Sequence, residues 1–548
     1  MERFTQERFE ERSRQYGELL VLDDVLSLHV GKEPSPVLFA YPRADREAGG
    51  DYFETFTAAQ LDGYVDAVVR HLVQSGHKPQ LGRVVGILGN PNLDWVVHLF
   101  ALSRLGYCVA MMSLRHRVAA LASLLASANG DAVVHDATPG TAKLAQDVAD
   151  LAPAATTTIP FVPRSVYEKA SAAGTAPRAP RYFSRAEQTE TLALLFSTSG
   201  STGMPKPIPY RHAHVALSTF TTSEPRSTLL SWPLHHGWGL CIMLGTLYYG
   251  RTCHVMDTGS ALTGPAFVEA LEAARPEFLP SVPHNVALIA RDPRGLACLR
   301  AAEYVTTGGA RLPDELGAYL AGRGVNISSS MGSSEATRNF ATSMHRPRGD
   351  PDWDYLEFPP VLRPHVLLDP VPGSPPLHEL VLLPEFPGLA GGGYANSDDP
   401  RPGSLRTGDI MRPHARKPDA WKFVCRQGDF LSLSTGTNVI PVPFEDRLQA
   451  SPLVEAAVVV GVARATTGLL LQPAATEGGE RMDEAALVDA IWPLVEEANA
   501  VVPEYAELTR DKVCVLPRTA KLPRTDKGNV IRQRAYEEFA SEIEALYA

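Results

Sequence analysis

Helical and strand-like patterns alternate between residues 55 and 150. The segment "FTAAQLDGYVDAVVRHLVQSG" has apolar residues at helical spacing and ends on glycine, and the run "GRVVGILG" that follows is typical of a buried strand. The segments "LDWVVHLFALSRLG" and "YCVAMMS" repeat this pair, and "VAALASLLASANG" and "DAVVHD" repeat it again. Such alternation produces parallel strands that are joined by crossover helices. The sequence therefore predicts an α/β fold for this part of the chain, followed at 152–190 by an Ala-, Pro- and Thr-rich surface loop.

The composition changes beyond residue 430. The runs "VEAAVVVGVA" and "GLLLQPA" are typical of strands, and "DEAALVDAIWPLVEEANAVV" has the apolar spacing of an amphipathic helix. This pattern predicts a small α+β domain appended to a large α/β domain. We place the boundary so that the large domain covers residues 1–426 and the small domain covers residues 427–548.

Length and charge limit the class of protein. A chain of 548 residues is too long for one compact core. Its formal charge of −11 argues against nucleic acid or an anionic membrane as the main partner, although it leaves room for a local basic pocket. The charged start "MERFTQERFEERSRQYGELL" has no signal-peptide pattern, and the six cysteines form no C-x-x-C pair. We therefore expect a cytoplasmic protein without a membrane span.

A loop of small residues follows a buried strand. The run "LALLF" at 192–196 leads directly into "STSGSTGMPKP" at 197–207. Backbone N–H groups in a glycine-rich turn can converge on an anion, and Lys206 would add a positive charge. The Walker pattern G-x-x-x-x-G-K-[ST] cannot be laid onto this loop. The loop alone leaves two interpretations open, a phosphate site and a flexible linker.

Three further motifs decide between these interpretations. Glu335 lies in "SSMGSSEAT", Asp409 lies in "SLRTGDI", and Lys527 lies in "PRTDKGNVIR". In this order the four motifs resemble those of the adenylate-forming superfamily, which includes acyl-CoA synthetases, adenylation domains of nonribosomal peptide synthetases, and luciferases. The resemblance covers nearly the whole chain. The family's motifs map onto Thr198–Lys206, Met331–Glu335, Thr407–Asp409, Cys425–Asp429 and the segment around Lys527.

Finer features resemble one branch of this superfamily. Pro207 stands where most relatives have glycine, and Lys527 is followed, not preceded, by Gly528. These features resemble the adenylation domains of synthetase-like enzymes that lack a condensation domain. The chain stops after "EIEALYA", which leaves both a free-standing enzyme and an excised domain open.

The resemblance implies a fold and a two-step reaction. The expected fold is a large N-terminal adenylate-forming domain of layered α/β subdomains with a small, mobile C-terminal α+β domain. In the first step a carboxylate attacks the α-phosphorus of ATP to give acyl-AMP and pyrophosphate. In the second step a carrier-protein phosphopantetheine thiol takes the acyl group. The implied catalytic residues are Lys527, Glu335 and Thr202, and the implied hinge residues are Gly428 and Asp429.

The resemblance also implies the residues that bind the nucleotide and Mg²⁺. The small-residue loop and Lys206 would hold the β- and γ-phosphates, and Glu335 would ligate Mg²⁺. Ser334 would donate to the α-phosphate, Asp409 would accept from the ribose hydroxyls, and Lys527 would bridge the acyl carboxylate and the α-phosphate. The full nucleotide set is Thr198, Ser199, Gly200, Ser201, Thr202, Gly203, Lys206, Gly309, Ala310, Met331, Gly332, Ser334, Asp409, Arg426 and Lys527.

The acid that is activated is constrained by the segment "SWPLHHGWG" at 231–239. His236 takes the position of a histidine that gates the acyl pocket in acyl-CoA synthetases, and the segment has no aspartate to pair with an α-ammonium group. We therefore expect an aryl, keto or compact acyl acid and not an α-amino acid. The expected pocket residues are His236, Gly237, Trp238, Val282, His284, Gly308 and Met331.

Three alternatives remain open at this stage. The acceptor could be coenzyme A, or it could be an amine or another nitrogen nucleophile. A degenerate adenylation fold that binds nucleotide without turnover is the alternative of another class. Gly428, Met331 and the altered order at Lys527 favour degeneracy, whereas the phosphate loop, Glu335 and Asp409 favour catalysis.

Overall fold

The computed structural model describes residues 6–548 except 45–49, 153–155, 173–178, 200–204, 223, 260–261, 337, 373, 375, 391–393, 435–437, 475–481, 501, 503 and 525–529. The strands are β1 (Val37–Pro42), β2 (Phe53–Thr57), β3 (Val84–Leu88), β4 (Cys108–Met112), β5 (Ala132–His135), β6 (Thr157–Pro160), β7 (Leu192–Ser199), β8 (Pro205–Arg211), β9 (Thr228–Leu230), β10 (Cys253–Val255), β11 (Phe278–Ser281), β12 (Tyr304–Thr307), β13 (Ile327–Ser333), β14 (Arg338–Thr342), β15 (Tyr355–Glu357), β16 (Val366–Pro370), β17 (His378–Leu382), β18 (Leu405–Pro413), β19 (Ala420–Arg426), β20 (Leu431–Ser432), β21 (Asn438–Val439), β22 (Val454–Val460), β23 (Gly468–Pro473) and β24 (Val513–Val515).

The α-helices are α1 (Gln6–Tyr16), α2 (Asp24–Ser27), α3 (Ala58–Gln74), α4 (Leu93–Arg104), α5 (Val118–Ser127), α6 (Pro139–Leu151), α7 (Arg164–Ala172), α8 (Arg185–Thr189), α9 (His212–Thr222), α10 (Gly237–Tyr248), α11 (Gly264–Ala274), α12 (Pro283–Ile289), α13 (Pro293–Ala301), α14 (Asp314–Gly322), α15 (Val442–Gln449), α16 (Glu484–Asn499), α17 (Arg532–Glu538) and α18 (Ala540–Tyr547). Short 3-10 turns cover Arg363–His365, Gln427–Asp429, Glu504–Ala506 and Arg510–Lys512.

The alternating segment contributes β3, β4 and β5 to a six-stranded sheet in the order β6-β5-β3-β4-β7-β8. All neighbours are parallel except β7 and β8, which pair antiparallel. The strands β4 and β5 are buried along their whole length, so that apolar side chains on both faces are covered by helices. This sheet confirms the predicted α/β fold and carries the small-residue loop at the end of β7.

A second, larger sheet carries the remaining motifs of the N-terminal part. Its order is β16-β17-β18-β19-β15-β14-β13-β12-β11-β9-β10-β1-β2. The central strands β1, β10, β9, β11, β12 and β13 are parallel, and pairing becomes antiparallel from β14 onward. Gly308 directly follows β12, Met331 lies on β13, and Asp409 and Arg426 lie on β18 and β19. One sheet therefore fixes the relative positions of these four residues.

The part of the chain after residue 430 forms a separate sheet and core. The strands β22, β23 and β24 form a three-stranded sheet, and α15 and α16 pack against it through a cluster that includes Phe444, Leu448 and Ile491. The second face is covered by α17 and α18 through Ala535 and Ile543. This is the α+β arrangement that the sequence indicates.

The expectation of a surface loop at 152–190 is wrong for part of that stretch. Residues 157–160 form β6, which pairs with β5, and α7 and α8 follow. The side chain of Tyr167 on α7 is fully buried and donates a hydrogen bond to Asp94 Oδ1 at 2.6 Å. This aromatic anchor holds α7 against the sheet domain despite the loop-like composition around it.

None of the helices that the structure describes is long and apolar enough to cross a membrane.

Candidate active site

The hairpin of β7 and β8 frames the small-residue loop. The register places Thr198 opposite Lys206, and β7 itself is held between β4 and β8. The side chain of Lys206 is exposed, and the structure describes Thr198 and Ser199 by their backbone only. The predicted phosphate ligands Gly200, Ser201, Thr202 and Gly203 lie outside the described residues.

Tyr210 joins this hairpin to the segment that carries Glu335. Its ring is buried on β8 and packs edge-to-face on Phe196 at a centroid distance of 4.7 Å. Its hydroxyl donates to the carbonyl oxygen of Ser334 at 3.1 Å. Burial and then the charges of Cys241 and Glu335 raise the pKa of Tyr210, so the hydroxyl stays protonated and keeps donating. Sequence reasoning missed this residue, because a tyrosine in "PIPYRH" is also typical of an ordinary strand.

Glu335 is half-buried in the turn that follows β13. Its carbonyl oxygen accepts a hydrogen bond from the backbone N–H of Ala390 at 2.7 Å. Its carboxylate is close enough to Tyr394 and Asp409 to raise the pKa of both, in each case after the larger effect of burial. Glu335 is therefore near both Tyr394 and Asp409.

Asp409 and Arg426 stand opposite each other on β18 and β19. Arg426 Nε lies 2.7 Å from Asp409 Oδ1, and Asp409 is only 4% exposed. Burial raises the pKa of the Asp409 carboxyl to about 6, against the opposing effects of Arg426 and a hydrogen bond from Thr407. The pair presents a carboxylate that is held in place and bonded on one side.

Gly308 and Gly309 lie where β12 ends. A Cβ on Gly308 would lie 3.0 Å from Cη2 of Trp238 and 3.2 Å from the carbonyl oxygen of Ser330, so the indole ring packs directly on the Gly308 backbone. Gly309 has a φ of +74°, in the left-handed region that glycine favours. Met331 is half-buried on the adjacent strand β13, and Ala310 is half-buried while Gly332 is exposed.

The expected acyl-pocket residues lie along the start of α10. His236 is the N-cap residue of this helix, and the rings of Trp232 and Trp238 pack at 4.5 Å and 88°. A Cβ on Gly237 would lie 3.4 Å from the Tyr210 hydroxyl. The start of α10 is thus in contact both with the Gly308 segment and with the hairpin that frames the phosphate loop.

Val282 and His284 lie at the start of α12, where Val282 is the N-cap residue. The side chain of His284 is exposed, and the surrounding protein and then the positive charge of Arg524 lower its pKa. Arg524 forms a β-bridge with Val530, which brings together the two ends of the segment 525–529. That segment contains Lys527 and lies outside the described residues. Of the two residues that flank this segment, Arg524 is close enough to His284 to affect the pKa of its imidazole.

Family models match most of the chain. The model described as AMP-binding enzyme matches residues 39–368, which is more than half of the 548 residues. The model described as AMP-binding enzyme C-terminal domain matches residues 428–548. This chain belongs to the AMP-binding enzyme family. It is an adenylate-forming enzyme.

Two curated relatives of this AMP-binding enzyme are named as reductases. It is 29% identical to the adenylate-forming reductase Nps11 of Serpula lacrymans var. lacrymans, over 66% of this chain and 34% of that protein. It is 24% identical to a carboxylic acid reductase of Neurospora crassa, over 97% of this chain and 51% of that protein. The chain therefore spans about a third to a half of the length of these relatives.

Solved structures share the fold of this AMP-binding enzyme. The A domain of carboxylic acid reductase from Segniliparus rugosus, in complex with AMP and a co-purified carboxylic acid, superposes with a TM-score of 0.74 at 18% identity, covering 98% of this chain and 96% of that one. The A-PCP didomain of carboxylic acid reductase from the same organism, in complex with AMP, superposes with a TM-score of 0.74 at 19% identity, covering 98% of this chain and 84% of that one.

The expected hinge of this AMP-binding enzyme is a 3-10 turn at Gln427–Asp429. Asp429 Oδ2 accepts a hydrogen bond from the backbone N–H of Arg426 at 3.2 Å. A Cβ on Gly428 would meet no atom within 4 Å, so this conformation does not itself require glycine. The turn starts directly after the residue that pairs with Asp409.

Proposed function

We propose that this enzyme activates a carboxylic acid with ATP, forming acyl-AMP and pyrophosphate, and passes the acyl group to the phosphopantetheine thiol of a carrier protein. One observation carries the proposal. Tyr210 bonds the phosphate-loop hairpin to the Ser334–Glu335 turn, and Glu335 in turn acts on the pKa of Asp409. These two links support a single site in which the groups that we assign to phosphate, metal and ribose act together.

The nucleotide would lie across this region. Asp409 would accept hydrogen bonds from the two ribose hydroxyls, because a carboxylate offers paired acceptor oxygens. Arg426 keeps that carboxylate oriented through its contact at 2.7 Å. Adenine would lie against Gly309, Ala310 and Met331, where a thioether can pack on the flat base.

The phosphates would extend toward the hairpin. Thr198, Ser199, Gly200, Ser201, Thr202 and Gly203, with Lys206, would surround the β- and γ-phosphates. A ring of backbone N–H groups and one ammonium supplies donors where negative charge accumulates. Ser334 and Gly332 would approach the α-phosphate.

Glu335 fits the needs of Mg²⁺ that arrives with the nucleotide. Mg²⁺ prefers oxygen ligands and is commonly held by one or two carboxylates together with substrate phosphates and waters. No cluster of three or more candidate ligands occurs among the residues that the structure describes, and one half-buried carboxylate is sufficient for a metal shared with ATP. When bound, the ion would neutralise phosphate charge.

The acid would enter between α10 and the β12 end. The indole of Trp238 packs against Gly308, so the indole would form an apolar wall of the pocket. Such a wall is suited to an aryl, keto or compact acyl group. His236, Gly237, Val282, His284 and Met331 would complete this pocket. The segment 231–239 has no aspartate that could pair with an α-ammonium group. An acid without an α-amino group is therefore the proposed substrate.

Lys527 would supply the positive charge for the transition state. The carboxylate oxygen bonds to the α-phosphorus while the bond from that phosphorus to the pyrophosphate oxygen breaks, and negative charge builds on the α-phosphate oxygens. A lysine at the acid–phosphate junction stabilises this charge, and loss of one such donor costs about 3–4 kcal/mol. Arg524, which precedes the segment containing Lys527, is close enough to His284 of the expected acyl pocket to affect its pKa, and this proximity supports the role.

The carrier-protein acceptor is proposed from relatives. The Segniliparus rugosus didomain joins an A domain of the same fold to a PCP domain, and this chain covers only 34% of Nps11 and 51% of the Neurospora crassa carboxylic acid reductase. A thiol attacking the acyl carbon of acyl-AMP expels AMP and yields a thioester. Coenzyme A and amines are the other acceptors that an acceptor assay distinguishes.

ATP–pyrophosphate exchange over a panel of aryl, keto, alkyl and α-amino acids tests the first step. We expect exchange with at least one acid that lacks an α-amino group. Lys527→Ala should reduce exchange by roughly 100-fold or more while leaving ATP binding intact. The matched control is Lys521→Ala, which removes an exposed lysine six residues before Lys527. ATP binding without exchange for any acid would instead identify a degenerate copy.

A second assay tests the acceptor. The enzyme is supplied with its acid, ATP and one of three acceptors: a phosphopantetheinylated carrier protein, coenzyme A, or a primary amine. Mass spectrometry of the acylated product should show acyl transfer to the carrier protein. Equal or faster transfer to coenzyme A or the amine would overturn that part of the proposal.

A further inference from the structure

A chain of ion pairs joins the N-terminal part of the enzyme to the α15 helix. Arg311 follows the Gly309–Ala310 segment directly, and its guanidinium bonds both Asp446 Oδ2 on α15 and Asp314 Oδ1 on α14, the latter at 2.6 Å. The Arg311 side chain is 12% exposed and that of Asp446 is 22% exposed. A charge pair sheltered to this degree is screened much less than a surface pair.

The neighbouring acid on α15 faces the other way, into the C-terminal part. Glu445 accepts two hydrogen bonds from Arg532 Nη2, at 2.7 and 2.8 Å, and one from the backbone N–H of Val459 at 2.7 Å. Arg532 Nη1 also donates to the carbonyl oxygen of Val459 at 2.7 Å. This buried ion pair fixes the start of α17 to α15.

Arg532 lies close in sequence to the Lys527 segment. Val530 pairs with Arg524 at the two ends of that segment, and Arg532 follows Val530 by two residues. A continuous series of contacts therefore connects the Gly309–Ala310 segment, through Arg311, α15 and Arg532, to the residues that flank the segment containing Lys527. A second pair, Arg447 with Glu315 at 3.6 Å, spans the same boundary but is more exposed.

We infer that the Arg311–Asp446 pair is a positioning contact that holds the C-terminal domain in the orientation for acid adenylation and that breaks before thiol transfer. This inference rests on the proposed function. Arg311 has a second carboxylate, Asp314, which keeps the guanidinium paired when Asp446 leaves. Asp314 is itself bonded to Lys422 at 2.9 Å, so the N-terminal side of the boundary stays neutralised in either state.

The variant Asp446→Asn tests this inference because it changes the charge and keeps the shape. The matched control is Glu544→Gln, which removes an ion pair with Arg464 that lies wholly within the C-terminal part. The double variant Arg311→Asp with Asp446→Arg restores an ion pair with reversed charges, although it also places a second carboxylate beside Asp314. Hydrogen exchange of the α14 amides in the nucleotide-free protein measures how well α14 is protected at the contact with α15. We expect the α14 amides to exchange about tenfold faster in Asp446→Asn and at an unchanged rate in Glu544→Gln.

The two half-reactions provide the second readout. In Asp446→Asn, ATP–pyrophosphate exchange should fall about tenfold, whereas transfer from preformed acyl-AMP to the carrier thiol should stay unchanged or become faster. The double variant should recover part of the rate of ATP–pyrophosphate exchange. Equal losses in both half-reactions, or unchanged α14 protection, would overturn the inference. If the wild-type enzyme showed no ATP–pyrophosphate exchange, the proposed function would be refuted instead. Hydrogen exchange of the α14 amides would then decide whether the Arg311–Asp446 pair joins the two domains.

Discussion

The substitution Asp409→Asn tests the ribose site most directly. The carboxylate is 4% exposed, and Arg426 Nε lies 2.7 Å from one of its oxygens. Asparagine keeps the size and one acceptor oxygen but removes the charge and the second acceptor. If Asp409 is the ribose ligand we propose, the substitution removes one charge-assisted hydrogen bond to the nucleotide without opening a cavity.

The size of the effect follows from that lost bond. A hydrogen bond to a charged group is worth roughly 1.5–3 kcal/mol, and about 1.4 kcal/mol corresponds to tenfold in affinity. We expect the dissociation constant for ATP to rise about 10- to 100-fold near pH 7.5. Isothermal titration calorimetry with ATP in the absence of an acid measures this value apart from catalysis.

The pH dependence gives a sharper test. Burial raises the pKa of Asp409 to about 6, and the proposed ribose contact requires the ionised form, which accepts through both oxygens. Affinity should therefore be complete well above pH 6 and decrease as the pH falls through that value, by about tenfold between pH 7 and pH 5. Asp409→Asn should lack this component. The phosphate groups of ATP also titrate near pH 6, but they affect both proteins equally, so the difference between the two curves isolates Asp409.

Two results would refute this reasoning. Unchanged ATP affinity in Asp409→Asn would remove Asp409 from the nucleotide site. Parallel pH curves for the two proteins would show that the Asp409 carboxyl does not titrate in this range.

Three further predictions concern packing and pH. Gly308→Ala should raise KM for the larger acids and leave ATP affinity unchanged, because its Cβ would lie 3.0 Å from the neighbouring tryptophan ring; an equal loss for all acids would contradict a pocket role. Gly317→Ala should lower the melting temperature, because its Cβ would overlap the ring of Trp353, whereas Gly322→Ala on the same helix meets nothing within 4 Å and should not. His98 is fully buried with a pKa lowered to about 4, so its contribution to stability is complete above about pH 6.5 and should fall by about 2 kcal/mol between pH 7 and pH 5 in denaturant titrations; the same loss in a variant without His98 would refute this.

Much of the fold could be predicted because its signal is local. The helix and strand alternation before residue 150 reappears as β3, β4 and β5 of the six-stranded sheet with the helices that join them, and the amphipathic segment near the C-terminus forms α16. The prediction for 152–190 is wrong in part because α7 depends on Tyr167, a single buried contact that composition does not reveal. The order of the larger sheet depends on pairings between distant strands, for which a single sequence has no periodic signal.

The residues of the candidate site likewise fall into those that short motifs identify and those that only the folded structure reveals. Glu335 and Asp409 stand in short motifs, so a resemblance could identify them before any geometry was known. Tyr210 and Arg311 act through contacts with residues far along the chain, the Ser334 carbonyl and the Asp446 carboxylate. Such partners come together only on folding. The step assigned to each motif residue stays a prediction for the assays above.

The register of β18 and β19 has a consequence for evolution of the enzyme. Asp409 stands opposite Arg426, and the turn Gln427–Asp429 begins at the next residue. An insertion or deletion in β19 that changed this register would move both Arg426 and the start of the turn relative to Asp409, because Arg426 pairs with Asp409 and directly precedes the turn. The proposed ribose contact and the proposed hinge therefore depend on one strand register, whereas substitutions in the proposed acyl pocket, between α10 and the end of β12, leave that register unchanged.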